Sequence, residues 1–275
     1  MIRRILVGLG DRSHAASATH VAIELARQNQ AELTGVCVFD AERAGHTGPV
    51  PVGASDLAQE LREQHLIETQ RVIDSVSRQF EKVCEHSGIP YRLVQDKGNP
   101  FQSLIGFARY HDLIVCDAQH LFEHGVVEEP PAELARLVAA GVRPLLAVTE
   151  HPLRVLRTLV AYSGSMESAN ALRQFVQLRL WHDTKIRIVT FKLRRGGEER
   201  LLADAADYCV AHDYDVTTEL VPEPAKFNIL PYAQQWDADL IVMGNSNKRL
   251  LLRRIFGETM LHTVKHADRP LFLAQ

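Results

Sequence analysis

An apolar run, Leu240-Ile241-Val242-Met243, ends in Gly244-Asn245-Ser246-Asn247-Lys248-Arg249, and nine residues separate Asn247 from Gly257-Glu258-Thr259. These residue types at this spacing suit the binding of phosphate. A glycine at the carboxyl end of a buried strand lets backbone N–H groups approach an anion with no Cβ in the way. That edge is also where open parallel sheets bind their ligands. Gly257 opens a helix, whose first N–H groups and positive dipole end favour negative charge. Thr259 adds a hydroxyl. Glu258 works against this, because a carboxylate at a helix start interacts with the same donors and repels phosphate. Lys248, Arg249, Arg253 and Arg254 surround the loop and partly offset Glu258, or else form a solvated basic face.

Two further clusters carry ligand-type side chains. Cys116, Asp117, His120 and His124 fall within nine residues, after another apolar run. Thiolate, carboxylate and imidazole are zinc-type ligands, but the spacing matches no zinc motif, and Cys116 belongs to the strand and points into the core. His262 and His266 are four apart, so they share a helix face, with no third ligand evident. No metal is expected at either place. The Gly-x-Ser-x-Gly elbow, the Walker Gly-x-x-x-x-Gly-Lys and the Gly-x-Gly-x-x-Gly fingerprint are all absent. His14 and His20 follow the first strand without the spacing of an adenylyl-transfer signature. Trp181 and Trp236 fall at helix ends as packing residues.

The elements that must position these residues come in two copies. Asp112-Leu113-Ile114-Val115 recurs as Asp239-Leu240-Ile241-Val242, and Arg143-Pro144-Leu145-Leu146-Ala147-Val148 is echoed by Arg269-Pro270-Leu271-Phe272-Leu273-Ala274. Ile5-Leu6-Val7-Gly8-Leu9 matches Thr158-Leu159-Val160-Ala161-Tyr162 at a larger offset, so the first copy holds extra residues. The chain thus divides at Thr149-Glu150-His151-Pro152 into residues 1–150 and 151–275. In the second copy, strands are expected at 156–162, 186–190, 216–220, 239–243 and 269–274. Helices are expected at 167–181, 198–212, 229–236 and 258–267. In the first, strands at 31–39 and 89–95 flank a Gly/Pro-containing loop (Gly45, Gly48, Pro49, Pro51, Gly53) and a long helix from Asp56 to His86, which absorb the extra length. This insert is either a shield over the sheet or a flap over a ligand site. Alternating strands and helices imply parallel pairing with right-handed crossovers, hence an α/β doubly wound sheet.

Composition fits that frame. The 275 residues are 46% hydrophobic and 24% charged, with a formal net charge of −3. A core is affordable in length and apolar content, whereas collagen-like, disordered and disulfide-scaffold classes are excluded. The charge balance disfavours nucleic acid as a partner. No apolar stretch is long enough to cross a membrane. The N-terminal run Ile5-Leu6-Val7-Gly8-Leu9 is too short for an export signal, and with four scattered cysteines read as buried thiols the expected location is the cytoplasm. Residues 1–150 carry 14 Lys/Arg against 20 Asp/Glu, and residues 151–275 carry 17 against 14. An anion is therefore expected in the second half.

Both halves end in Arg-Pro-Leu and two apolar residues, and the second carries Val242-Met243-Gly244-Asn245-Ser246-Asn247-Lys248-Arg249, Phe256-Gly257-Glu258-Thr259 and Val264-Lys265-His266-Ala267-Asp268-Arg269-Pro270. In this the chain resembles a tandem universal stress protein. Nucleotide-binding members carry Gly-x-x-Gly, nine residues, then Gly-Ser/Thr, followed by a helix and His-Ala-x-x-Pro. The resemblance implies two five-stranded parallel sheets of order 3-2-1-4-5, packed as a pseudo-dimer through the last strands, and ATP or AMP as cofactor. Carried over, it assigns Gly244, Asn247, Lys248, Gly257, Glu258 and Thr259 to the phosphates and Ser163 to the ribose. Asn247 replaces the second glycine, Glu258 replaces serine, and the family's acidic residue after strand one is Gly10 (followed by Asp11) in the first half and Ser163 in the second. The first half has no Gly-x-x-Gly after Cys116-Asp117. The expectation is a non-catalytic stress-response module with at most one adenine-nucleotide site. An alternative is a nucleotide-free interaction scaffold, acting through sheet edges or the 40–56 loop as a homo-oligomer. Another is a metal-dependent hydrolase using the Cys116 loop.

Overall fold

In the computed structural model, residues 2–10, 12–40, 55–117, 130–141, 143–149, 154–191, 196–245, 249–250, 253–254 and 257–275 are described. Asp11, most of the 40–56 loop, His120, His124, Asn247 and Lys248 lie outside these residues. The strands are apolar on both sides, and that property fixes the architecture. In β1 (Arg4–Gly8), Ile5 and Val7 enter one core while Leu6 enters another; in β4 (Leu113–Asp117), Leu113 and Val115 part in the same way from Ile114 and Cys116. A strand of this kind must be covered by helices on both faces.

The remaining strands are β2 (Glu32–Phe39), β3 (Tyr91–Lys97), β5 (Leu145–Val148), β6 (Arg157–Ala161), β7 (Lys185–Phe191), β8 (Val216–Val221), β9 (Leu240–Gly244), a two-residue ribbon of β10 (Arg249–Leu250) and β11 (Arg253–Arg254), and β12 (Leu271–Ala274). One face is covered by α1 (Arg12–Asn29), α2 (Ser55–Ser87), α5 (Met166–Leu178) and α6 (Glu198–Val210). The other is covered by α3 (Pro100–Ala108), α4 (Pro130–Ala139), α7 (Ala225–Gln235) and α8 (Glu258–His266). Sequence periodicity starts α7 at residue 229. It begins at Ala225 instead, and the pattern is masked by Pro231, which sits inside the helix where it removes one backbone hydrogen bond.

The order of the large sheet is β3-β2-β1-β4-β5-β12-β9-β6-β7-β8. Each half therefore has the order 3-2-1-4-5 with parallel neighbours. The two sheets join because β12 pairs antiparallel with β5, Leu271 opposite Ala147 and Leu273 opposite Leu145. The expected pair of five-stranded sheets is one mixed sheet of ten strands.

The repeat is also written in hydrogen bonds. Asp112 Oδ2 accepts the N–H groups of Arg3 and Arg4 at 2.7 and 3.0 Å, and Asp239 Oδ2 accepts those of Leu156 and Arg157, both at 2.9 Å. Arg4 Nη1 reaches the Tyr110 carbonyl, as Arg157 Nη1 reaches that of Trp236. The aspartate before the fourth strand thus anchors the first strand of each half, and the sequence offsets hold in space.

All four cysteines are buried and free. Burial pushes the Cys37 thiol up to about 11 and those of Cys84 and Cys209 up to about 12, so they are neutral thiols. His111 is buried as well. Its Nδ1 lies 2.7 Å from the Phe107 carbonyl, which can only accept, so Nδ1 carries the proton and Nε2 accepts from the Thr34 hydroxyl at 2.9 Å. Burial holds its pKa below the ordinary histidine value; the hydrogen bond to the Phe107 carbonyl opposes this, Arg4 adds to it, and Glu32 and Asp112 oppose it more weakly.

Asp112→Ala and Asp239→Ala should each cost about 1–2 kcal/mol in urea unfolding, and the Asn variants less, since an acceptor remains. A group whose pKa is lowered by folding keeps its stabilising effect above its unfolded value, near 6.5 for histidine, and loses it as pH falls. Urea midpoints should therefore drop between pH 7.5 and 5.5, and His111→Gln should shrink that drop; an unchanged drop refutes the assignment.

Candidate functional site

The sheet order reverses at β6 and β9. They are neighbours, Ala161 opposite Met243, yet α5 leaves β6 toward one face while the segment after β9 reaches α8 on the other. Such a reversal leaves a crevice beyond the carboxyl ends of the two strands. Three serines line its α5 side. Ser165 is the N-cap of α5, its Oγ accepting the Ser168 N–H at 3.2 Å. Ser163 Oγ lies 3.1 Å from Ser165 Oγ and 3.3 Å from Ser168 Oγ, and Ser168 Oγ donates to the Ser165 carbonyl at 2.8 Å. Three hydroxyls are gathered where a helix dipole begins, a setting that favours oxygen-rich ligands.

Gly244 is brought to the same place. A Cβ there would stand 2.4 Å from the Glu167 carbonyl oxygen and 2.7 Å from the Ser168 nitrogen. Those are backbone atoms of the first turn of α5, so the glycine is needed for the strand end to lie against that turn. Asn245 follows. Its backbone N–H donates to the Ala274 carbonyl at 3.1 Å, while its side chain is 0% exposed and, among the described residues, neither Nδ2 nor Oδ1 has a hydrogen-bond partner. An unpaired buried amide costs roughly 1–3 kcal/mol, the penalty that a polar ligand removes. Sequence spacing does not single out Asn245, because partnerless burial exists only in the folded chain.

On the far side of the crevice, Gly257 is the N-cap of α8 and makes no side-chain capping bond. Glu258 Oε2 turns sideways to Lys226 Nζ of α7 at 3.2 Å. The carboxylate therefore does not cap its own helix, contrary to the competition expected from sequence. Thr259 is half-buried, and its carbonyl accepts the Thr263 hydroxyl. Ser163 and Gly244 thus meet around Ser168, whereas Gly257, Glu258 and Thr259 begin α8 on the other face of the sheet, and Asn247 and Lys248 fall outside the described residues.

The other clusters resolve differently. Cys116 is fully buried in β4, and burial drives its thiol well above the ordinary value, which removes it from a loop ligand set. Among the described residues no three His, Cys, Asp or Glu side chains gather to hold a metal ion. His262 and His266 stack with centroids 4.4 Å apart, and His262 also meets the edge of Phe227 at 5.1 Å. Trp236 packs against the second core under the Arg187 guanidinium, and Trp181 packs against the first.

Because the atoms facing Gly244 are backbone, Gly244→Ala should destabilise the protein by about 1–3 kcal/mol, measured by chemical unfolding. A cost near zero would show that the first turn of α5 yields.

Comparison with known proteins agrees with this fold. The chain matches the model of the universal stress protein family over residues 1–128 and 190–275. It superposes on a universal stress protein from Archaeoglobus fulgidus DSM 4304 with a TM-score of 0.70 and 14% identity, covering 98% of this chain and 96% of that one. A functionally unknown protein from Pseudomonas aeruginosa PAO1 gives 0.59 and 16%, over 99% and 92%. A Pseudomonas aeruginosa UCBPP-PA14 protein gives 0.61 and 17%, over 99% and 93%. At these identities the superpositions speak for the fold. No curated protein matches the chain. With more than half of its residues matched by the family model, the chain belongs to the universal stress protein family.

Proposed function

We propose that the chain is a non-catalytic stress-response module of two units, 1–150 and 151–275, whose second unit binds one adenine nucleotide, ATP or AMP. The observation that carries this is the Asn245 amide, buried with no hydrogen-bond partner among the described residues, directly after the Gly244 that lies against Ser168. In this reading Gly244, Asn247, Lys248, Gly257 and Thr259 surround the phosphates, and Ser163 faces the ribose. Glu258, although held by Lys226, still lowers affinity through its charge. The first unit takes no nucleotide. It lacks the glycine loop, and its charge balance is negative.

A scaffold reading has one observation in its favour. The outermost strands β3 and β8 each pair on one side, and residues 217–220 of β8 are exposed. Such edges can add a strand from another copy. The last strands are not open to this, since β5 and β12 already pair within the chain.

Calorimetry with ATP separates the two. Saturable binding at one site is expected. Asn247→Gly with Glu258→Ser should tighten it about tenfold, near 1.4 kcal/mol, and Asn245→Leu should weaken it at least as much. Absence of adenine absorbance after acid extraction together with no heat on titration would leave the scaffold reading standing.

A further inference from the structure

The two halves share a backbone but fill one place differently. In the second half the place lies between α7 and the face of β7 and β8, and its own side chains occupy it. Arg187 lies over Trp236, 4.8 Å from the ring centroid, with its Nη1 3.5 Å from Glu219 and its Nε 3.2 Å from the Thr217 hydroxyl. Tyr232 donates to Glu219 and meets the edge of Phe191. Charge and hydrogen bonds are satisfied internally.

Strand register identifies the matching residues in the first half. Leu6 faces Thr34 as Leu159 faces Arg187, Thr34 faces Arg92 as Arg187 faces Thr217, and Val36 faces Val94 as Val189 faces Glu219. Thr34 and Val94 therefore stand where Arg187 and Glu219 do, and both are short. They cannot fill the space, and a cavity of about 640 Å³ remains between α3 and β1, β2 and β3. Pockets for small organic ligands fall between about 300 and 1,000 Å³.

The lining says what would suit it. Phe107, Tyr110 and Val94 give apolar and aromatic walls. Gly106 faces it as well, and a Cβ added there would meet nothing within 4 Å. Arg4 is committed to Glu32 at 2.6 Å and to the Tyr110 carbonyl. His111 is neutral and bonded at both nitrogens. Arg92, exposed on β3, takes part in no hydrogen bond or ion pair among the described residues. Four residues along the same strand face, Asp96 holds Ser103 at 2.7 Å and keeps lone pairs for another donor. Four strand residues span roughly 13 Å.

We propose that this cavity binds a flat organic carboxylate, its apolar body between Val94 and Phe107, its anionic group on the Arg92 guanidinium and a hydroxyl directed at Asp96. A guanidinium fork matches a carboxylate bidentately, which an ammonium cannot do. The site is in the other half from the nucleotide crevice, and it does not depend on that crevice being filled.

The probe is 6-hydroxy-2-naphthoate, titrated calorimetrically into the full chain. One saturable site is expected, unaffected by added ATP, with 2-naphthol binding at least tenfold more weakly. Arg92→Ala should weaken binding at least tenfold. Gly106→Phe should abolish it by filling the cavity. Circular dichroism of both variants should match the parent, and if Gly106→Phe does not fold, Arg92→Ala alone decides. No saturation up to millimolar probe, binding that survives Arg92→Ala or a folded Gly106→Phe, or equal affinity for 2-naphthol each overturns the proposal.

Discussion

The antiparallel contact between β5 and β12 is what makes two small sheets into one molecule. Each half ends in a four-residue strand that is buried on both faces and apolar throughout, Leu145 to Val148 and Leu271 to Ala274. Left at an edge, either strand would expose a row of unpaired N–H and C=O groups beside an apolar surface, an invitation to aggregation. Paired with each other, they satisfy both edges and bring the two halves' cores together. Phe272 then reaches Phe175 of α5, with ring centroids 5.4 Å apart, so the joint also bears on the helix that opens the candidate nucleotide crevice. The sheet centre is therefore its least exposed and most cross-linked part.

Around that joint, equivalent positions have kept their backbone roles and changed their chemistry. Asp112 and Asp239 do the same work on the strand beside them. Thr34 and Arg187 do not, nor do Val94 and Glu219. The retained pair serves hydrogen bonds that every copy of the fold has to make. The altered pairs line surfaces where a copy is free to fill its own volume or leave it for another molecule.

Much of the architecture was legible in the residues. The recurrence of Asp-Leu-Ile-Val placed the fourth strand of each half, and the unequal offsets located the insertion that α2 now occupies. Those signals are local in sequence, being apolar runs without alternation and repeated tetrapeptides. The start of α7 was hidden by Pro231, a local signal that points the wrong way because the surrounding packing tolerates it. The site was less legible. Gly244 reads as a phosphate-cradle glycine, and its contacts add a demand that the sequence does not show, the close packing of the first turn of α5. Glu258 reads as a cap competitor, yet Lys226 from another helix draws it aside. Asn245 and the space beside Gly106 gave no signal, because a missing partner and a missing volume belong to no residue type.

The sense of the central pairing has a geometric outcome for ligands. Parallel strands within each half all point one way, and β12 runs opposite to β5. The carboxyl ends of the first half's strands therefore emerge on one long margin of the ten-stranded sheet, and those of the second half on the opposite margin. Mouths at these two margins face away from each other across the full length of a strand. Molecules held at them cannot touch, and the apolar seam lies between them.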